Sequence, residues 1–273
     1  MQPAELDILR EGIVAIARAA AQEILVVYGG EFAVQHKDDN SPVTAADLAA
    51  HRCIVEGLER LSPRIPVLSE ESAQDVPARV RRNWSRMWLV DPLDGTREFV
   101  KRNGEFTVNI ALVEDGESIL SVVQAPVTGA LWHGQRGRGA FRREGMRDIP
   151  IHARAPATPP LRVAASRSHR DGRTAAVLQR MGEVEPIGLG SSLKFCRLAE
   201  GAMDVYPRFG PTSEWDTAAG QCVLEAAGGA VLDLAAGEGQ GRPLRYNQRD
   251  TILNGDFIAL GDPTLPWRDW LLP

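Results

Sequence analysis

The segment Asp91-Pro92-Leu93-Asp94-Gly95-Thr96 constrains this chain more than any other. It follows the apolar run Met87 to Val90, which reads as a buried strand, so two carboxylates stand where that strand leaves the core. Pro92 disfavours helix for Asp91, and Gly95 permits a tight turn. The expectation is a turn that aims both carboxylates at one point. Two carboxylates about 4 Å apart repel strongly unless a proton or a cation intervenes. No His or Cys is close by in the sequence, and an all-oxygen donor set favours Mg2+ or Mn2+ over zinc. A plain turn-capping role for the two acids is the competing reading, and spacing alone leaves it open.

Other acids have related settings. Glu70 and Glu71 follow the apolar run Ile65 to Leu68, and Asp216 sits between Trp215 and Thr217-Ala218-Ala219-Gly220, where a helix begins. The carboxyl ends of strands in α/β sheets are where ligands are usually bound.

Residues 4–28 carry Leu6, Leu9, Ile13, Ile16, Ala20 and Ile24 at helical spacing, and Gly29-Gly30 stops that helix. Thr44, with Asp47 three residues on, reads as the N-cap of a second helix that runs to Leu61. Pro66–Ser69 and Met87–Val90 read as short strands. Residues 106–114, 117–125 and 130–134 read as an antiparallel meander turning at Asp115-Gly116. The proline-rich stretch 153–160 connects a first lobe, residues 1–155, to a second, residues 156–273. In the second lobe, strands 161–165 and 204–207 alternate with helices 172–181, 191–200 and 215–227, an α/β rhythm. Trp84, Trp88, Trp267 and Trp270 read as packing residues.

Composition excludes several function classes. Among 273 residues, 31 Lys and Arg against 36 Asp and Glu give a net charge of −5, a poor match for non-specific nucleic-acid binding. Cys53, Cys196 and Cys222 are odd in number and widely spaced, so free thiols in a reducing cytoplasm are expected, not a disulfide framework or zinc site. The opening MQPAELDILREG has no leader pattern, and Arg18, Gln22 and Glu23 interrupt the most apolar stretch, so no transmembrane segment is expected. No P-loop or dinucleotide glycine motif occurs.

Glu70-Glu71, Asp91 to Thr96 and Trp215 to Gly220 together resemble, in order, the three signatures of the inositol monophosphatase superfamily, lithium-sensitive Mg2+-dependent phosphatases. The likeness runs over nearly the whole chain. Within the superfamily it is strongest to the bacterial 3'(2'),5'-bisphosphate nucleotidases, through Asn40 to Asp47, Lys101 to Asn109, Gly190 to Cys196 and Tyr206 to Gly210. The resemblance implies an α/β (α+β) fold, a layered αβαβα sandwich of the inositol monophosphatase and fructose-1,6-bisphosphatase type. The first lobe would carry most metal ligands, and the second Asp216 and the substrate contacts.

It further implies that Glu70, Asp91, Asp94 and Asp216, with the Leu93 carbonyl, hold two or three Mg2+ ions, with Mn2+ as a substitute and Li+ inhibitory. Asp47 and Thr96 would activate water, with Glu70 also catalytic. Glu70, Asp94, Gly95, Thr96 and Asp216 would meet the phosphate, and His169, Ser191, Lys194 and Arg208 the nucleotide. The implied substrate is 3'-phosphoadenosine 5'-phosphate, a by-product of sulfate assimilation. The implied setting is the cytoplasm, with a homodimer and peripheral association with the inner membrane left open. The same metal centre acting on inositol monophosphate or fructose 1,6-bisphosphate is one alternative. A non-catalytic regulator that binds metal or nucleotide is another.

Overall fold

The computed structural model describes residues 3–31, 33–36, 42–165, 172–235 and 241–271. Helix α1 (Pro3–Tyr28) buries Leu9, Ile13, Ala17, Ala20 and Ile24 on one stripe. A two-stranded ribbon, β1 (Val34–His36) with β2 (Pro42–Thr44), leads into α2 (Ala45–Leu61). The α2 start is a reciprocal cap: the Ala46 amide donates to Thr44 Oγ1 at 3.2 Å, and the Thr44 amide donates to Asp47 Oδ2 at 2.8 Å.

Strand β3 (Val67–Ser69) enters a 3-10 turn over Glu70–Asp75, then α3 (Ala78–Arg81) and β4 (Arg86–Asp94). Strands β3 and β4 run parallel, which puts Glu70 beside the Asp91 end of β4. After α4 (Thr96–Val100) come β5 (Thr107–Glu114), β6 (Glu117–Gln124), β7 (Leu131–Gln135), β8 (Gly139–Glu144) and β9 (Arg147–Ile151). They complete a seven-stranded sheet in the order β3-β4-β5-β6-β7-β8-β9. The period of two sorts its faces. Trp88 and Val90 pack with α1 and α2, whereas Met87 and Leu89 face the other way.

The second sheet is built from β10 (Leu161–Ala165), β11 (Val184–Gly188), β12 (Val205–Arg208), β13 (Ala230–Asp233), β14 (Arg242–Pro243) and β15 (Phe257–Leu260), in the order β11-β10-β12-β15-β13-β14. The other helices are α5 (Gly172–Met181), α6 (Leu193–Ala199), α7 (Glu214–Ala226) and α8 (Trp267–Leu271). One core joins Leu89 and Ala111 of the first sheet, through α6 and α7, to Tyr206 and Phe257 of the second. On the far side, Val163, Val205 and Ile258 pack with Val177 of α5 and with Trp267 and Trp270 of α8. The layers are therefore α1/α2, sheet, α6/α7, sheet, α5/α8, the expected αβαβα stack.

Three details depart from the sequence reading. Strands β8 and β9 extend the meander, because an edge hairpin rich in Arg and Glu lacks the apolar alternation of a half-buried strand. The second sheet is mixed: β10 is parallel to β11 and β12, but β12, β15, β13 and β14 pair antiparallel. Helix α6 starts at Leu193 and not at residue 191, because Ser191 sits in the left-handed region at φ 48°. All three cysteines are free. Among the described residues no helix is long and apolar enough to cross a membrane.

Candidate active site

The Asp91–Gly95 segment is not a simple turn. Strand β4 continues through it, with Asp91 opposite Asn109 and Asp94 opposite Thr107. Residues three apart in a regular strand point to opposite faces. Here three steps along β4 match two along β5, a bulge with one extra residue. Asn109 and Thr107 share a face, so the bulge brings Asp91 and Asp94 to the same side. Gly95 then turns the chain at φ 94° into α4. A Cβ there would stand 3.1 Å from the Glu105 carbonyl oxygen and 3.3 Å from Ser191 Cβ, so conformation and space both require glycine.

Three elements aim further acids at this point. Glu70 begins the 3-10 turn after β3. Asp216 is the third residue of α7, where its Oδ2 accepts from the Ser213 amide at 2.9 Å. Asp47, on the first turn of α2, is 2% exposed. Glu70, Asp94, Gly95, Thr96 and Asp216 line one cleft of about 410 Å3, closed on the second-lobe side by Pro211, Thr212 and Ser213.

The electrostatics mark the acids as a set. Burial pushes Asp91 well above the usual carboxylate range, and the charges of Glu70, Asp94 and Asp216 push it further. Asp216 is raised for the same reasons, with Asp94 the leading neighbour. Asp94 is raised by burial to about 6, with Lys194 and the Ser192 amide acting against it. Among the described residues no group of three or more His, Cys, Asp or Glu side chains stands in ligand geometry. Fit to a divalent cation therefore rests on donor chemistry: hard oxygens only, Asp91 buried and Glu70, Asp94 and Asp216 lining the cleft beside it, with the charges of Glu70, Asp94 and Asp216 disfavouring that of Asp91.

Thr96 Oγ1 donates to Asp47 Oδ1 at 3.3 Å and lies 3.4 Å from the Leu93 carbonyl oxygen. The other Asp47 oxygen accepts from the Thr44 amide at 2.8 Å and from Thr44 Oγ1 at 2.7 Å. Burial raises the Asp47 pKa above its ordinary value, and the charge of Glu71 adds to the rise. The long Thr96–Asp47 contact suits a pair that tightens when substrate is present.

The nucleotide-contact expectations land unevenly. His169 lies outside the described residues. Ser191 stands just before α6, its Cβ 3.3 Å from where a Cβ on Gly95 would lie. Lys194 is only 8% exposed and points inward: its Nζ donates to the Ser191 carbonyl oxygen at 2.9 Å and lies 5.1 Å from the Tyr206 ring centroid. Arg208 is half-buried, with Nη2 donating to the Pro211 carbonyl oxygen at 3.1 Å.

Several residues of the site were not legible in the sequence. Ser192 joins the lobes: its amide donates to Asp94 Oδ2, and its hydroxyl sits 2.8 Å from Thr107 Oγ1 and 2.7 Å from Asn109 Oδ1. Glu214 is fully buried, two residues before Asp216, and its Oε2 accepts from the Asn247 amide at 2.8 Å. Arg97 is exposed and lines the cleft. The only sequence signal for these three is adjacency to a motif residue.

The model of the inositol monophosphatase family matches residues 5–261. The chain is 51% identical to the 3'(2'),5'-bisphosphate nucleotidase CysQ of Salmonella typhimurium, over 90% of this chain and 97% of that protein. The crystal structure of CysQ from Bacteroides thetaiotaomicron superposes with a TM-score of 0.79 at 40% identity, covering 92% of this chain and 96% of the other. An inositol monophosphatase from Zymomonas mobilis superposes with a TM-score of 0.75 at 26% identity, covering 99% of each chain.

Proposed function

Because the chain belongs to the inositol monophosphatase family, we propose that it is a Mg2+-dependent 3'(2'),5'-bisphosphate nucleotidase. It would hydrolyse the 3'-phosphate of 3'-phosphoadenosine 5'-phosphate to AMP and phosphate, and so clear a by-product of sulfate assimilation. The observation that carries the substrate is 51% identity to the Salmonella nucleotidase across 97% of that protein. Members of the family are in general Mg2+-dependent phosphatases. For this chain the reading adds two or three ions, Mn2+ as a substitute and inhibition by Li+.

Glu70, Asp91, Asp94, Asp216 and the Leu93 carbonyl would hold the metal. When bound, Mg2+ supplies positive charge for the phosphoryl oxygens and lowers the pKa of water. The protein's own part is proton handling and orientation. Thr96 donates its hydroxyl proton toward Asp47 and so offers its oxygen lone pairs to the attacking water. As that water attacks phosphorus and the P–O3' bond breaks, its proton passes to Thr96 Oγ1, the Thr96 proton passes to Asp47, and the leaving 3'-oxygen takes a proton from solvent water to become the 3'-hydroxyl of AMP. Thr44 holds the other Asp47 oxygen, which fixes the carboxylate's direction. Burial has already made Asp47 a better proton acceptor than an exposed aspartate. Gly95 and Thr96, with Glu70, Asp94 and Asp216, would contact the reacting phosphate. His169, Ser191, Lys194 and Arg208 are retained as nucleotide contacts of the second lobe.

A Mg2+-dependent assay of 3'-phosphoadenosine 5'-phosphate, its 5'-phosphosulfate, inositol 1-phosphate and fructose 1,6-bisphosphate tests the reading. The bisphosphate nucleotide should give the highest kcat/KM, and a higher value for inositol 1-phosphate would overturn it. A non-catalytic regulator is disfavoured by the hydrogen bond from Thr96, which lines the cleft, to the buried Asp47. Light scattering tests the homodimer, and fractionation tests a cytoplasmic location with peripheral attachment to the inner membrane.

A further inference from the structure

Among the described residues that line the cleft one is basic, and it is neither Lys194 nor Arg208. Arg97 is exposed and lines the cleft beside Asp94, Thr96 and Asp216. No hydrogen bond or ion pair engages its guanidinium among the described residues. Lys194 Nζ points inward and donates to the Ser191 carbonyl oxygen, and Arg208 Nη2 donates to the Pro211 carbonyl oxygen, while the buried Arg208 Nε has no partner among the described residues. The charges of both also oppose the raised pKa of Asp94.

Arg97 also stands on a rigid support. It follows Thr96 directly on α4, and two residues later Phe99 is fully buried, with its ring 5.1 Å from those of both Tyr28 and Phe106. The helix cannot roll without breaking that cluster, so the Arg97 backbone is held beside Thr96. A guanidinium is shaped for bidentate contact with phosphate, and an unpaired one loses no existing partner when it binds. The carboxylate end of the cleft is already assigned to the phosphate that reacts. A nucleoside 3',5'-bisphosphate brings a second phosphate, which that acidic end would repel.

We propose that Arg97 binds the non-reacting phosphate of the substrate, and that this contact selects bisphosphates over monophosphates. This rests on the nucleotidase reading above. The test compares kcat/KM for 3'-phosphoadenosine 5'-phosphate and for 3'-AMP, which lacks the second phosphate, in the wild type and in Arg97→Met, Arg97→Lys, Lys194→Met and Arg208→Met at saturating Mg2+. Arg97→Met should lower the bisphosphate-to-monophosphate ratio at least about tenfold, mainly through KM, the size expected for one charge-assisted contact. Arg97→Lys should restore part of the ratio. An unchanged ratio in Arg97→Met overturns the proposal even if both activities fall, since an equal fall reports only disturbance next to Thr96. A ratio that falls in Lys194→Met or Arg208→Met but not in Arg97→Met also overturns it. A wild type that hydrolyses inositol 1-phosphate and not the bisphosphate overturns the nucleotidase reading itself, and the role of Arg97 with it.

Discussion

Arg81 and Asn247, 166 residues apart in the chain, bind each other in both directions. Arg81 Nη1 donates to Asn247 Oδ1 at 2.8 Å, and Asn247 Nδ2 donates to the Arg81 carbonyl oxygen at 2.6 Å. Arg81 is 2% exposed, and its Nη2 also donates to the carbonyl oxygens of Arg249 and Asp250. The Asn247 amide donates in turn to Glu214, on the first turn of the helix that carries Asp216. Arg81 of α3 thus braces the 247–250 loop, which in turn holds Glu214 at the start of α7.

Removing that brace should cost both stability and activity. Arg81→Ala leaves several buried acceptors unpaired, so a loss of roughly 2–4 kcal/mol is expected from urea unfolding. Arg81→Ala and Asn247→Ala should be strongly non-additive, because either change alone breaks the same reciprocal pair. Additive losses would show that the two side chains act separately.

The acids of the cleft should trade stability for activity. Asp91 is raised well above its ordinary value, so its ionised form opposes folding at neutral pH. Asp91→Asn should lower turnover by orders of magnitude and yet raise the unfolding midpoint in EDTA, by roughly 2–4 °C per kcal/mol of repulsion removed. Mg2+ should raise the wild-type midpoint more than that of the variant. Asp94→Asn should likewise abolish turnover while leaving the chain folded. A midpoint in EDTA that falls in Asp91→Asn would count against mutual repulsion.

Thr96 and Asp47 should behave as a unit. Thr96→Ala and Asp47→Asn are each expected to lower kcat by about 10²–10⁴ with little change in KM, and the double variant should be no worse than the poorer single one. Thr96→Ser, which keeps the hydroxyl, should retain most activity. Steady-state kinetics on the four variants decides this.

Glu214 predicts a pH dependence of stability. Burial raises its carboxyl to about 7, against 4.5 for the unperturbed group. An acid raised in the folded state contributes stability that is complete below the unfolded value and is lost as pH rises through the folded one. Metal-free protein should therefore lose stability between about pH 4.5 and pH 7 from this group, by up to roughly 3 kcal/mol. Glu214→Gln should flatten that part of the curve in EDTA, and thermal unfolding at pH 5, 6, 7 and 8 checks it. A curve as steep as the wild type would place the titration elsewhere.

The fold was legible wherever burial leaves a period. The apolar stripe of α1, the Thr44–Asp47 cap of α2 and the meander from Thr107 onward follow from residue spacing alone. The charged hairpin β8–β9 did not, since its edge position asks for polarity and conceals the strand pattern. Lys194 is expected from the resemblance to meet the nucleotide, yet in the structure its ammonium meets a carbonyl oxygen and an aromatic face, which no local pattern announces.

By itself the sequence determined the acids and their company: Glu70, Asp91, Asp94 and Asp216 at the ends of apolar runs or the start of a helix, with Asp47 capping α2. Those assignments are local, because propensity, capping and turn chemistry act over a few residues. Only the tertiary structure decided which way the groups point and which are already spoken for. The one-residue bulge against β5 puts Asp91 and Asp94 on the same face, the brace from Arg81 holds the 247–250 loop that binds Glu214 two residues before Asp216, and the inward turn of Lys194 leaves Arg97 as the basic wall of the cleft among the described residues. Each of these depends on strand register or on contacts between residues far apart in the chain, and neither is written in any short stretch of it.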